Sequence, residues 1–353
     1  VIYTSNNNFY GPSDDSVSFK FSEVDLNATA RVLSNLRAAG QILYRQAGQQ
    51  GEGSSIDYAF LDYQFINTAI STTGIRAGRY KLPLGLFNET RDIAFTRPSI
   101  FVPQSAYPDR ARDLQLSSDG ALLYTDIFTN TGQWTIELDA GRPRLDKQTV
   151  EASFGFLPGD VDSVGSHTTV GGRVMYQSGD GTWLAALSRA NARMRYRQAL
   201  TSTQQADIDV KFVYWIASLQ CNIDQWSFTS EFGHMDVKLD TDLFGAALHP
   251  LFYYIQATRH LDKRWSIYSR YDNLYWDRRD PSGADYAVLL GSRNFANFAH
   301  DYGVGVRYDI DSNLMVSTEY HYIDGTAWLS TADNPDATHR YWNMVAVELS
   351  YRF

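Results

Sequence analysis

The chain has 353 residues, a net charge of −9 and a pI of about 5.2, a balance that opposes non-specific nucleic-acid binding. Hydrophobic residues reach 44%, yet mean hydropathy is −0.34, and no run of about 18 apolar residues exists, which excludes a transmembrane helix. The single cysteine, Cys221, rules out an intrachain disulfide and a cysteine-based zinc site.

Aromatics make up 14%, with 23 Tyr, 19 Phe and 8 Trp. Such a load suits a barrel wall, whose aromatic girdles sit where lipid meets water. A barrel strand needs only about 10 residues, with alternate ones facing lipid. No signal peptide precedes Val1, so an exported protein would stand here in mature or trimmed form.

Period-two alternation predicts strands near 24–33, 37–46, 56–66, 72–81, 113–126, 133–143, 166–177, 181–192, 207–221, 225–237, 249–260, 264–276, 298–310, 313–323 and 340–353. Within 72–81, Arg76 has the opposite parity from Arg79 and Lys81. We expect Arg79 and Lys81 to face inward and Arg76 to lie at a subunit interface or near a strand end. Short turns at 178–181, 222–224, 261–263 and 311–313 alternate with long polar links at 144–165, 193–206, 238–248, 277–297 and 324–339. Short turns on one side and long loops on the other mark a bacterial outer-membrane barrel. The turn phase requires one more upward strand before residue 24, for which residues 1–10, or residues upstream, are the candidates. The expectation is therefore an all-β, single-domain antiparallel up-and-down barrel over 1–353, with about sixteen strands.

Sixteen strands leave an aqueous lumen. The alternation assigns Asp209, Lys211, Glu231, Arg270, Asp272, Arg307, Glu319 and His321 to the lumen wall. One outer link, 83–112, is longer than the rest and contains apolar stretches, so part of it should be buried inside the barrel and narrow it. Its charges are Glu89, Arg91, Asp92, Arg97, Asp109, Arg110 and Arg112. With Arg79 and Lys81 the local balance is positive, which favours anions. The plainer reading is that some of these charges tie the loop to the wall.

Other motifs carry little. The seven His are dispersed, with no HExxH pair, so no metal site is expected, and no cofactor. There is no GxSxG elbow and no P-loop. Acidic clusters such as Asp277–Asp280 and Asp240–Asp242 read as solvated loops before divalent-cation sites. Cys221, beside a turn, reads as a buried or lipid-facing thiol.

The run GRYKLPLGLFNETRDIAFTRPSIFVPQSAY (78–107) resembles a family of Gram-negative outer-membrane diffusion porins, whose members carry a Gly-Arg/Lys-x-x-x-Pro run before a long loop. The end of the chain, with Val347, Leu349, Tyr351 and the C-terminal Phe353, resembles the signal read by the barrel-assembly machinery. The resemblance implies a 16-stranded, homotrimeric porin, without catalysis, in the outer membrane among lipid and lipopolysaccharide. The expected function is passive diffusion of small polar solutes, leaning towards anions. The alternatives are a plugged or scaffold barrel hosting a partner, or an outer-membrane hydrolase using Glu319 and His321.

Overall fold

The computed structural model describes residues 1–14, 16–48, 52–154, 159–199, 205–241, 245–335 and 338–353. Parts of the polar links expected at 144–165, 193–206, 238–248 and 324–339 lie outside these residues. Its strands are β1 (Ile2–Thr4), β2 (Phe21–Leu33), β3 (Leu36–Ala47), β4 (Glu52–Asn67), β5 (Ser71–Lys81), β6 (Ser117–Thr129), β7 (Gly132–Arg142), β8 (Val161–Ser166), β9 (Thr169–Ser178), β10 (Trp183–Ala199), β11 (Gln205–Ile223), β12 (Trp226–Thr241), β13 (Gly245–Leu248), β14 (Leu251–His260), β15 (Trp265–Tyr275), β16 (Phe298–Asp309), β17 (Leu314–Gly325) and β18 (Tyr341–Tyr351). All pair antiparallel with their neighbours in one sheet.

Two pairs of strands each share one place in the wall. Strands β8 and β9 both pair with β10, and β13 and β14 both pair with β12. The second break falls at Pro250, which has no N–H to give to a ladder. Sixteen wall positions remain among the described residues. The missing upward strand is β1, whose Ile2 pairs with Ala346 of β18 and also bridges Ser18 just ahead of β2. The barrel is thus nearly closed, as lipid demands, because a free ladder edge in hydrocarbon leaves backbone polar groups unpaired.

The outer surface shows why these residues form a wall. On β18, Tyr341, Val345, Val347 and Leu349 point out and are exposed, while Trp342, Met344 and Ala346 point in and are buried. Aromatic rows flank the apolar belt. Near the short turns Trp134 meets Tyr176 and Trp265 meets Tyr308, at ring separations of 4.8 Å and 4.5 Å. Toward the long loops Tyr271 meets Tyr302 at 4.9 Å, and Tyr302 meets Tyr322 at 6.4 Å. Each ring lies across the ladder from its partner, where cross-strand side chains touch.

In three places the alternation reading is corrected. The links expected at 193–206 and 238–248 are largely strand, because β10, β11 and β12 run on beyond the belt. There the pattern inverts. Ile208, Val210 and Phe212 point inward, and Asp209 and Lys211 stand on the outer surface, with the Lys211 side chain 49% exposed. Asp209 pairs outside with Arg193 at 2.5 Å and Lys211 with Asp240 at 3.3 Å. The physical reason is that this stretch rises past the lipid, so its outer face meets water and carries the charges. The inner face is covered by α2 (Lys147–Phe154), whose Val150 and Phe154 pack on it.

The second correction concerns Arg79 and Arg76. Arg76 pairs across the ladder with buried Leu122 and lies 3.7 Å from inward Asp62. Arg79 pairs with Ala59 and Asp119 on the outer side and bonds Asp119 at 3.3 Å. Counting back from Lys81 misleads because Tyr80 and Lys81 are both buried inside, so parity is broken at the strand end. The third is the lumen itself, which is not lined by polar groups alone. Phe9, Tyr10, Phe101, Trp328 and Trp342 form a buried aromatic cluster inside the barrel.

Candidate functional site

The segment between β5 and β6 folds into the barrel and is fastened at both its ends and its middle. A short helix, α1 (Arg112–Gln115), returns it to β6. Lys81, the last residue of β5, donates to Asp92 at 2.8 Å, and Arg112 donates to the other oxygen of Asp92 at 2.5 Å. Asp57 completes the group, 3.4 Å from Arg112 and 3.8 Å from Lys81. Asp57 reaches inward because it is the extra residue of a bulge in β4, where the pairing with β3 skips between Ile56 and Tyr58. Burial opposes ionisation of Asp92, but Arg112 and then Lys81 outweigh it and hold its carboxyl well below the usual carboxylate range.

A second knot lies beside it. Arg91 bonds Asp109 at 3.2 Å, and Asp109 also accepts from Arg45 and the Tyr10 hydroxyl. Arg45 in turn bonds Glu23 at 2.7 Å. Four cations, Arg45, Lys81, Arg91 and Arg112, therefore face four carboxylates, Glu23, Asp57, Asp92 and Asp109. Charges held this way neutralise one another, and removing one partner leaves a buried charge unpaired.

The far side of the loop is held by Glu231, fully buried on β12. Its carboxylate accepts from Ser218 at 2.6 Å, Tyr107 at 2.7 Å, Tyr254 at 2.9 Å and the Leu86 backbone N–H at 2.9 Å. Gly85 occupies a positive φ of 58° here, and a Cβ would strike the Tyr107 hydroxyl and come 2.6 Å from Glu231 Oε1. Only glycine fits that approach. Nearby, Arg173 of β9 bonds Glu89 at 2.5 Å and Glu137 at 2.7 Å, and donates to the Gly85 carbonyl at 2.9 Å.

The remaining wall residues also grip the loop. Arg270 donates to the Phe101 carbonyl at 3.1 Å, and Asp272 accepts from the Ser105 N–H at 3.3 Å. Glu319 accepts from the Ile100 N–H at 2.5 Å and from Tyr268. His321 sits between Asp301 at 2.9 Å and Glu319 at 3.2 Å. Arg307 donates to the carbonyls of Phe95 and Arg97 at 3.2 Å and 2.8 Å. Arg97 itself donates to the Arg91 and Ile100 carbonyls, and Arg110 lies over the Trp276 ring at 4.6 Å. Neither Arg97 nor Arg110 has a carboxylate within ion-pair distance among the described residues.

The sequence reading thus names residues that the fold joins, the loop charges to one another and the wall residues to the loop. Arg91, Asp92, Asp109 and Arg112 hold each other with Lys81, whereas Glu231, Arg270, Asp272, Arg307 and Glu319 hold the loop's backbone. Arg79, Asp209 and Lys211 lie outside. Val347, Leu349, Tyr351 and Phe353 are all exposed on the outer side or at the chain end. Asp57, Arg45, Glu23 and Arg173 were missed. For Asp57 a signal exists, since the outward residues Ile56, Ala59 and Leu61 are spaced three and then two apart.

The loop divides the lumen. On the short-turn side a polar cavity is lined by Arg97, Gln220, Thr229, Gln256, Thr258 and Asp309. On the long-loop side an apolar cavity opens against the extended parts of β10–β12. No cluster of three or more His, Cys, Asp or Glu arranged for a metal is found among the described residues. No helix among them is long and apolar enough to cross a membrane.

No protein-family model and no curated protein sequence matches the chain. Solved structures do. The outer membrane channel DcaP of Acinetobacter baumannii superposes with a TM-score of 0.56 at 12% identity, covering 95% of this chain and 85% of that one. An anion-selective porin from Comamonas acidovorans gives 0.52 at 14%, covering 94% and 90%. OmpT, an outer membrane protein of Vibrio cholerae in a trimer form, gives 0.52 at 11%, covering 94% and 91%. With the wall nearly closed around sixteen positions and a long loop folded inside it, the chain has the fold of the Gram-negative outer-membrane porins.

Proposed function

We propose that the protein is a non-enzymatic outer-membrane channel through which small hydrophilic solutes diffuse, with the segment 83–112 as its constriction. The observation that carries this reading is the loop itself, fastened across the lumen by Lys81, Arg112 and Asp92 on one side and Glu231 on the other. A lumen-spanning loop held by preformed polar contacts fixes a size limit without chemistry at the site. The polar cavity on the short-turn side supports a wet exit.

The anion lean takes a narrower form. Four cations face four carboxylates around Asp92 and Asp109, so the candidates for selectivity are Arg97 and Arg110, which have no carboxylate within ion-pair distance among the described residues. The hydrolase alternative has less support. The Glu319 and His321 pair is buried, and the partners it uses are Asp301, Tyr268 and a loop N–H, none of them a Ser or Cys nucleophile. A homotrimer is proposed from the neighbour solved in trimer form, and assembly through the terminal Phe353 remains part of the same proposal. A second reading, a plugged barrel that hosts a partner, draws on how many walls the loop touches.

Planar-bilayer recording decides between them. The channel reading expects stable open steps, with reduced anion preference in Arg97→Gln and unchanged preference in Arg79→Gln, whose side chain lies outside. Folded protein that gives no conductance would overturn the channel and leave the plugged barrel.

A further inference from the structure

The cavity on the long-loop side has an unusual lining for the mouth of a polar channel. It encloses about 340 Å³, in the range of small-molecule sites. Met194, Phe212, Met235, Phe252, Trp276 and Leu289 supply much of its wall. Water gains nothing against such a surface, while an apolar body leaving water for it is stabilised in proportion to the area covered.

Several polar atoms of the lining have no hydrogen-bond partner. The Arg110 Nε, the Ser105 and Thr169 hydroxyls and the Gln115 Oε1 are buried atoms without a hydrogen bond, and all four residues line this cavity. Ser105 and Thr169 are each more than nine-tenths buried. A buried polar atom left unsatisfied is costly, and a site in which several face one cavity is set up for a ligand that satisfies them. Three of the four can donate. The guanidinium of Arg110 stacks on Trp276 and bonds the Tyr286 side chain, and among the described residues it has no carboxylate within ion-pair distance. Asp109 is engaged with Arg45 and Arg91, Asp113 with the Thr149 hydroxyl, and Asp272 accepts from the Ser105 N–H.

We infer that this outer vestibule binds small amphipathic organic anions, an aromatic or aliphatic body ending in a carboxylate, with the body on the apolar wall and the carboxylate on Arg110. Such solutes would dwell at the mouth, where simple inorganic anions would not. The inference deepens the channel reading but rests on it only for the direction of traffic, since binding at the vestibule does not require an open constriction.

The test is calorimetric titration of the folded, detergent-solubilised barrel with phenylbutyrate, with acetate and phenylbutanol as the head without the body and the body without the head. Saturable binding of phenylbutyrate is expected, with both comparison compounds much weaker. Arg110→Gln should weaken it by about tenfold or more, the effect of losing a charged hydrogen-bond donor. Leu289→Ser, at the exposed rim where folding is not at risk, should weaken it by about fivefold. Native circular dichroism of each variant is the control for folding, and Arg110→Lys should restore part of the loss. Equal affinity for all three compounds, unchanged affinity in natively folded Arg110→Gln, or no saturable binding would overturn the inference. If the barrel conducts ions but does not bind phenylbutyrate, the inference falls and the channel stands. If it binds through Arg110 but never conducts, the channel reading falls and the vestibule site stands.

Discussion

The upper and lower halves of β11 obey opposite rules. Below Tyr214 the wall is oily outside, with Ala217 and Leu219 exposed, and holds Ser218 and Gln220 inside. Above it, Asp207, Asp209 and Lys211 are outside, and Ile208, Val210 and Phe212 are inside. The same strand, with unbroken alternation, changes which face is apolar. The change falls near Trp215, which carries Arg189 over its ring at 4.7 Å, where an aromatic and a cation share the edge of the lipid. The lesson is that alternation reports two environments without saying which is inside. In the belt the outside is lipid. Above the belt the outside is water, and the apolar side turns to packed protein and an apolar vestibule.

Substitutions in the two halves should differ in their cost. The largest effect is expected from Glu231→Ala, which strips four donors of their shared acceptor in the lower, loop-holding half. It should cost about 3 kcal/mol or more, read as a fall in the urea midpoint of the folded barrel, with noisier open-channel current. Leu219→Arg places a charge on the lipid face and should cost about 2–4 kcal/mol if that face is near mid-membrane. Lys211→Leu, eight residues up the same face, should leave stability unchanged. Equal costs at the two positions would show that both halves meet one environment, and the comparison would be lost.

Asp92→Asn should cost about 2 kcal/mol, because Lys81 and Arg112 are left sharing Asp57 alone. The pH dependence follows in sign. A carboxyl held below its unfolded value contributes stability that is present above that value, about 3.9, and is lost as pH falls through the lower, folded value. The Asp92 anchor should therefore persist in mild acid, with Asp92→Asn noisy throughout, whereas burial raises the Asp109 carboxyl to about 7, so its hold on Arg45 and Arg91 weakens first as pH falls. The smallest expected effect is chiefly on selectivity. Arg97→Gln should shift the reversal potential in a salt gradient towards cations and change the free energy of unfolding by about 1 kcal/mol.

The wall is legible in the residues alone. Period-two alternation from Trp226 to Phe232 or from Tyr341 to Tyr351, with turns at Asn222–Asp224 and Asp311–Asn313, is local, and a strand records its two faces in its own residues. The barrel, its strand number and the infolding of the segment from Pro83 to Arg112 follow from that local record together with the need to close the ladder in lipid. Only the tertiary structure decided which face was which above the belt, because that depends on where the lipid ends and on α2 arriving from elsewhere in the chain. It also decided the partners. Asp92 finds Asp57 through a one-residue bulge, and Leu86 finds Glu231 across the lumen, 145 residues away. The charge balance of the loop looked positive along the chain because its neutralising carboxylates, Glu23 and Asp57, belong to other strands. Electrostatic pairing is set by distance in space, and no local pattern carries it.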